Sequence, residues 1–483
     1  MRRTFLPSAL LVVCSLTGRA ASAQPAQPVQ PAQPAAAPLP PAAPAPTGQL
    51  PPAPEVNDPM LAPVARPNVE IGNWEEALKH VRARSTDLRI AAQEIARAEA
   101  QTRIALAGAL TTVNGTGTYT HNIITNTTSQ PVSITNGVPR FGAVQTPFPD
   151  FVNGSIIANQ PVLALRSWYA IGTAERNETA VQLTLEDTKR QIALNVANAI
   201  VGVVTAERVA ELNRLGLRNA LTRLELAIRR STLGSGTGLD VVRARQDVET
   251  ARATLVAGDE SLRQSREALG LGLGIPEQVG VPPNVDLNGI EASARASCKP
   301  AATIDDRPDV AALRENTEVA RRQVTDAKLQ FAPTVDVRSS VATTTINTGA
   351  APNTTWNVQA VLTVPIWDGG IRYGNLRQAR AQEVIAGQRL EAARRQANIQ
   401  VTQAQRGVSV AEDRRRVAAQ TRDLAAENDR LTRTAYLEGR GTSLELVTAA
   451  QALREAEIQL ALREFELVKS RVLAILALAS CPW

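Results

Sequence analysis

Between Trp356 and Ile366 the chain alternates, with Trp356, Val358, Ala360, Leu362, Val364 and Ile366 set against Asn357, Gln359, Val361, Thr363 and Pro365. A period of two over eleven residues predicts a β-strand, and this is about the length of a tilted strand that crosses a membrane. Just upstream, Val335, Val337 and Val341 alternate with Asp336, Arg338 and Ser340, giving a hairpin partner across a short Thr/Asn/Gly loop. A weaker pair comes earlier: Val113 and Tyr119 against Asn114, Thr116 and Thr118, then Ile156 and Ala158 against Ser155 and Asn159. Any one of these strands fits an ordinary half-buried antiparallel sheet. Charges such as Asp336 and Arg338 on the inward face instead fit a wet barrel lumen.

Elsewhere the period is helical. From about Gly374 to Tyr436 some 60 residues pass without a proline, rich in Ala, Arg, Gln and Glu, and the stretch from about Thr173 to Leu233 does the same. At 1.5 Å per residue each is roughly 90 Å of helix, a length for which a compact domain has no use. After a Gly-rich break, Val241, Ala244, Val248, Ala251, Leu255 and Leu262 are spaced 3, 4, 3, 4 and 7, and Leu446, Ala449, Leu453, Ala456, Leu460 and Leu467 repeat that spacing. These are coiled-coil seams in which alanine permits close approach; most of their residues hold helices together and nothing more.

The two halves correspond. Gly234-Ser-Gly-Thr-Gly-Leu-Asp-Val-Val-Arg-Ala-Arg-Gln246 aligns with Gly439-Arg-Gly-Thr-Ser-Leu-Glu-Leu-Val-Thr-Ala-Ala-Gln451 at a constant offset of 205. Pro161 and Tyr169 match Pro365 and Tyr373 at 204, whereas Asp87, Ala98 and Ala105 match Asp309, Ala320 and Ala327 at 222, so the first half carries 18 extra residues. The excess falls in a Thr/Asn/Pro/Gly-rich stretch from about Asn122 to Asp150, read as an exposed loop. A period this long is a tandem duplication of a large unit and not a solenoid.

Composition changes the picture at the N-terminus. Arg2 and Arg3, the apolar run Leu10 to Leu16 and Ala21-Ser22-Ala23 read as an export signal over residues 1–23. Cys14 follows Leu11-Val12-Val13 and only loosely resembles a lipidation site, where a small residue normally precedes the cysteine. Residues 24–67 hold 15 of the 30 prolines and read as an extended linker or tether. Removing Arg2, Arg3 and Arg19 with the signal takes the formal charge from +6 to +3, which is no nucleic-acid signature. Beyond the signal no apolar run approaches the roughly 18 residues of a membrane helix, so strands must do any spanning. Four strands cannot close a barrel, and an open edge cannot sit in lipid because its amides stay unsatisfied. Copies must therefore associate: two give eight strands and a filled interior, three give twelve and an opening, and transport favours three.

The order of signal, helix, hairpin, long helix, Gly-Thr turn and heptad helix, duplicated, with Val364-Pro-Ile-Trp-Asp-Gly-Gly370 leading into Gln378-Ala-Arg-Ala-Gln382, resembles the TolC family of outer-membrane efflux proteins. The likeness covers nearly the whole chain after residue 68. It implies an α+β membrane protein: a homotrimer with a twelve-stranded β-barrel in the outer membrane, a periplasmic barrel of antiparallel coiled coils, and an equatorial belt. It also implies docking to a periplasmic adaptor and an inner-membrane transporter of the RND or ABC type. On this scheme residues 68–283 and 305–483 are the two efflux repeats, and 284–304 is the equatorial linker between them.

The resemblance places both turns at the periplasmic entrance, making Gly234, Gly236, Thr237, Gly439, Gly441 and Thr442 candidates for adaptor contact; the plainer reading is a tight helix–helix turn. Asp240 and Glu445 lie where the family carries acids that constrict the entrance. Thr442-Ser-Leu-Glu445 is also a capping box, with similar spacing from Thr237 to Asp240, so both acids have a structural alternative. Tyr436 falls where the family ties one hairpin to its neighbour, with Asp240 the matching partner. Gly441 and Thr448 replace a basic residue and a second acid of some members, which implies a weaker closing network. The likeness brings Cys298 and Cys481 to the equatorial belt, where an oxidising periplasm makes a disulfide plausible.

No catalytic, cofactor or metal site is expected. His80 and His121 are the only histidines and neither has a ligand cluster nearby, and the glycine turns lack the Gly-Lys-Ser/Thr of a phosphate loop. The expectation is a passive conduit through which a partner pump expels small molecules. Two rivals remain: a channel that exports polypeptides, and a non-transporting periplasmic coiled-coil scaffold with soluble strands.

Overall fold

The computed structural model describes residues 56–135, 137–282, 287–346 and 352–483. The expected export signal, most of the proline-rich segment and part of the expected linker 284–304 lie outside the described residues. Among the described residues eight α-helices and ten strands follow one another in two runs. The first run is β1 (Val69–Glu70), α1 (Trp74–Arg84), α2 (Thr86–Ala107), β2 (Thr112–His121), β3 (Asn126–Thr135), β4 (Val138–Thr146), β5 (Asp150–Leu163), α3 (Leu165–Thr232), α4 (Gly238–Leu273) and β6 (Val279–Gly280). The second is α5 (Leu287–Ser297), β7 (Lys299–Pro300), α6 (Pro308–Leu329), β8 (Thr334–Thr344), β9 (Thr354–Thr363), α7 (Ile371–Leu437), α8 (Ser443–Leu476) and β10 (Ala479–Ser480).

The four long strands form one antiparallel sheet in the order β2-β5-β8-β9. Its register sorts the side chains cleanly. Val113, Ala158, Ser339 and Val358 share one row, and Ile156, Val341 and Trp356 the next, all on one face. The opposite face carries rows such as Thr112, Asn159, Arg338 and Gln359, or Thr116, Ser155, Ala342 and Thr355. The apolar face is bare: Val113, Ile156, Val358 and Leu362 are each more than half exposed and Trp356 is 75% exposed. β2 and β9 are the open edges of this sheet.

The long helices extend further than the sequence indicated. α3 has 68 residues and α7 has 67, about 100 Å each, starting close behind β5 and β9. α4 folds back along α3, and α8 along α7, while α2 and α6 pack on the strand-proximal half of α3. Ala244, Val248, Ala251, Leu255 and Leu262 are buried as the heptads require, as are Leu446, Ala449, Ala456 and Leu467; Leu453 and Leu460 are only half-buried. Midway along the helices a core gathers Trp74, Leu78 and Val81 of α1, Ile192, Val196 and Ile200 of α3, Leu273 of α4, Ile290 of α5 and Leu476 of α8. An 18-residue window of α3 reaches a mean hydropathy of 1.4. Ile192, Ala193, Val196, Ala197, Ile200 and Val203 of α3 are buried in this core.

Two expectations need correction. The stretch from Asn122 to Asp150 is not an irregular loop, since β3 and β4 pair through nine registered positions into a separate two-stranded hairpin turning at Gly137, whose φ is +82°. Its β-branched content supports strands, but Val138-Pro-Arg-Phe-Gly-Ala-Val-Gln-Thr146 does not alternate apolar with polar residues, so no one-sided period marks β4 in the sequence. Residues 56–67, the end of the proline-rich segment, are not a free tether. Val56, Met60 and Leu61 pack on Leu217, Leu221, Val248 and Leu255, and Val64 on Ala206, Ala210 and Leu262. Asp58 caps the turn Pro59–Leu61 through Met60 N (2.9 Å) and pairs with Arg252 at 2.8 Å.

Candidate functional site

At the end of the helical hairpins remote from the sheet, the two turns are built alike. α3 is capped by Leu233, Gly234 takes φ +75° and Ser235 N donates to Arg230 O; α7 is capped by Glu438, Gly439 takes φ +77° and Arg440 N donates to Ala435 O. A left-handed residue closing a helix favours glycine. Gly236 and Gly441 lie against the last helical turn: a Cβ on Gly236 would sit 3.1 Å from Arg230 Cβ, and one on Gly441 would sit 3.0 Å from Tyr436 N. Thr237 and Thr442 then cap α4 and α8.

Both predicted acids close capping boxes. Thr237 N and Oγ1 donate to Asp240 Oδ2 at 3.0 and 2.9 Å, and Thr442 N and Oγ1 donate to Glu445 Oε2 at 2.8 and 3.0 Å. The second oxygen of Asp240 accepts from Ser443 Oγ at the start of α8, joining the two hairpins. The Ser443 bond first, then the Thr237 amide, holds the Asp240 carboxyl below the usual range, and the Thr442 amide does the same for Glu445. Thr448 turns its hydroxyl onto its own helix, donating to Leu444 O and Glu445 O.

Tyr436 is buried, but within the chain it is not joined to Asp240. Arg230 of α3 lies over its ring at 4.4 Å and donates Nη1 to its carbonyl at 2.9 Å. Within the chain, Asp240 is occupied by its own cap and Ser443. The hairpins are latched by residues that local sequence did not single out. Arg243 Nη1 donates to Ser443 Oγ at 3.4 Å. One level further from the tip, fully buried Asp247 accepts from Arg223 at 2.6 Å and from Gln451 of α8 at 3.0 Å. Truncating one member of such a buried pair costs about 3–5 kcal/mol. The only sequence signal for it is an acid beside Val248 on the heptad stripe.

The middle belt is pinned separately. Cys298 and Cys481 are bonded to one another, next to the β7–β10 ladder. Arg190 of α3 donates to Leu476 O and to Asp187 Oδ1. Arg307 donates to Ala477 O, to both oxygens of Asp309 and to Gln400. These guanidiniums satisfy carbonyls at the C-terminus of α8. Burial acts to raise the Asp309 carboxyl, but the Arg307 hydrogen bond and charge outweigh it and hold the pKa below its ordinary value. Among the described residues no three His, Cys, Asp or Glu side chains come together as metal ligands.

The sequence pattern of the outer membrane efflux protein family matches residues 77–274 and 300–475. The alkaline protease secretion protein AprF of Pseudomonas aeruginosa is 22% identical over 284 residues, 57% of this chain and 59% of AprF. The cation efflux system protein CusC of Escherichia coli is 23% identical over 60% of each chain. The chain thus spans about three fifths of the length of these curated relatives. Among solved structures, CusC superposes with a TM-score of 0.72 over 88% of this chain and 99% of its own at 18% identity. VceC from Vibrio cholerae gives 0.68 over 84% and 95%, also at 18%. With its two matched regions, its bare-faced sheet and its paired helical hairpins, this chain belongs to the outer membrane efflux protein family.

Proposed function

We propose that three copies of this chain form a channel through the outer membrane, each contributing the sheet β2-β5-β8-β9 to a twelve-stranded barrel and the hairpins α3–α4 and α7–α8 to a periplasmic tunnel. The observation that carries this reading is the sheet itself. One face is apolar and exposed, the other polar, and both edges are open. Water is a poor solvent for the first face and lipid for the open edges, so closure with further copies in a bilayer satisfies both. The tandem repeat supplies two hairpins and four strands per copy. Residues 1–23 act as the export signal, 68–283 and 305–483 as the repeats, and 284–304 as the belt between them.

The channel passively conducts small molecules delivered by an inner-membrane transporter and a periplasmic adaptor; this reading is supported by matched relatives such as TtgC of Pseudomonas putida, whose name is toluene efflux pump outer membrane protein. The six turns of the trimer, three around Gly236 and three around Gly441, receive the adaptor, and the contacts of Arg230, Arg243, Asp240 and Ser443 hold the entrance closed. No covalent step or cofactor takes part. The match to AprF favours a second cargo reading, protein secretion. Deleting the gene is expected to lower resistance to drugs, dyes or metals, with the protein recovered from outer membranes as a heat-modifiable oligomer. Recovery in the soluble periplasm would defeat the channel, while unchanged susceptibility with loss of a secreted protein would favour the second cargo.

A further inference from the structure

Arg338 and Asp336 are the only formally charged residues on the polar face of the four-stranded sheet, whose remaining positions are neutral. Arg338 stands in register with Asn159 on one side and Gln359 on the other, and Thr112 lies beyond Asn159. Its side chain is exposed and has no hydrogen-bond or ion-pair partner among the described residues. Asp336 is two residues away on the same face, about 7 Å along the strand, and does not pair with it. A guanidinium offers five donors in a planar fork that fits carboxylates and other oxyanions, and nothing among the described residues takes them. The flanking carboxamides are neutral and add donors of their own.

We infer that the belt of Thr112, Asn159, Arg338 and Gln359 attracts oxyanions, so that the exit barrel favours permeants bearing a carboxylate or similar anionic group. The inference rests on the trimeric barrel proposed above: three copies bring three guanidiniums and six carboxamides to one level of the lumen. Low-dielectric walls and a ring of one sign raise the local concentration of the opposite charge. Asp336, one row closer to the helices, opposes that field, so anions are attracted and still released, as conduction requires.

The test uses the purified oligomer carrying Gln359→Cys and two thiosulfonate reagents of similar size, one bearing a sulfonate and one a trimethylammonium group. Labelling of the peptide that contains position 359 is followed by mass spectrometry. Adding Arg338→Gln should lower the sulfonate-to-ammonium rate ratio about tenfold, the low end of what a charged lining achieves. Arg338→Lys should keep the ratio and Asp336→Asn should raise it. A ratio indifferent to all three changes overturns the inference and leaves the barrel standing. Val358→Cys reports the opposite face: labelling there and not at position 359 would mean that the faces are inverted, and both the barrel reading and the inference would fall.

Discussion

At the tip, each oxygen of Asp240 has its own role: Oδ2 closes the cap of α4 and Oδ1 takes the Ser443 hydroxyl of the other hairpin. A carboxyl held below its ordinary pKa stabilises these contacts fully above that ordinary value, 3.8 for Asp240, and the contribution is lost as pH falls through the depressed value. Channel conductance in bilayers should therefore rise as the solution is acidified below about pH 4. Asp240→Ala should conduct more at neutral pH and show a smaller acid response, the remainder belonging to Glu445. An acid response identical in the two proteins would exclude Asp240 as a latch. The capping role of both acids was legible because Thr-x-x-acid is a local pattern. The roles of Arg230, Arg243 and Ser443 were not, because their partners lie about 200 residues away in the chain and adjacent only in the fold.

Among the elements, the strap of residues 56–67 departs most from its composition. Prolines suit it to an extended path, and the apolar residues between them, Met60, Leu61 and Val64, meet the α3–α4 hairpin. The matching hairpin α7–α8 has no such strap among the described residues, so the two hairpins differ in support although their turns are alike. Leu61→Asp replaces a half-buried side chain packed against the apolar cluster of α3 and α4 with a charge, and should cost roughly 2 kcal/mol. A thermal melt of the purified oligomer should show the loss; an unchanged melting temperature would make the strap incidental. The β3–β4 hairpin teaches the complementary lesson. Strand pairing there comes from β-branched residues and a glycine turn, and periodicity detects only strands whose two faces differ in polarity.

For the molecule as a whole, the belt midway along the helices joins the N-terminal segment, the inter-repeat linker and the C-terminus. The Cys298–Cys481 bond closes a sequence separation of 183 residues, for which the chain-entropy account gives up to about 5 kcal/mol. Reductant should lower the melting temperature and release two alkylatable thiols per chain, and Cys298→Ser with Cys481→Ser should reproduce the lower value. If reduction frees both thiols with no change in melting, Arg190, Arg307 and the apolar core hold the belt by themselves.

The sequence by itself determined the elements and their sidedness: four amphipathic strands, two pairs of long and short helices, the glycine turns and the capping boxes all follow from residues within a dozen positions of one another. The alternation that gives the sheet one apolar and one polar face was also written locally. Tertiary structure decided which residues distant in the chain meet: Arg230 with Tyr436, Asp247 with Gln451, Cys298 with Cys481, the strap with α3 and α4, and Arg338 left without a partner among the described residues. Those pairings depend on helix rotation and strand register accumulated over 100 Å of chain, and small local patterns do not fix such offsets.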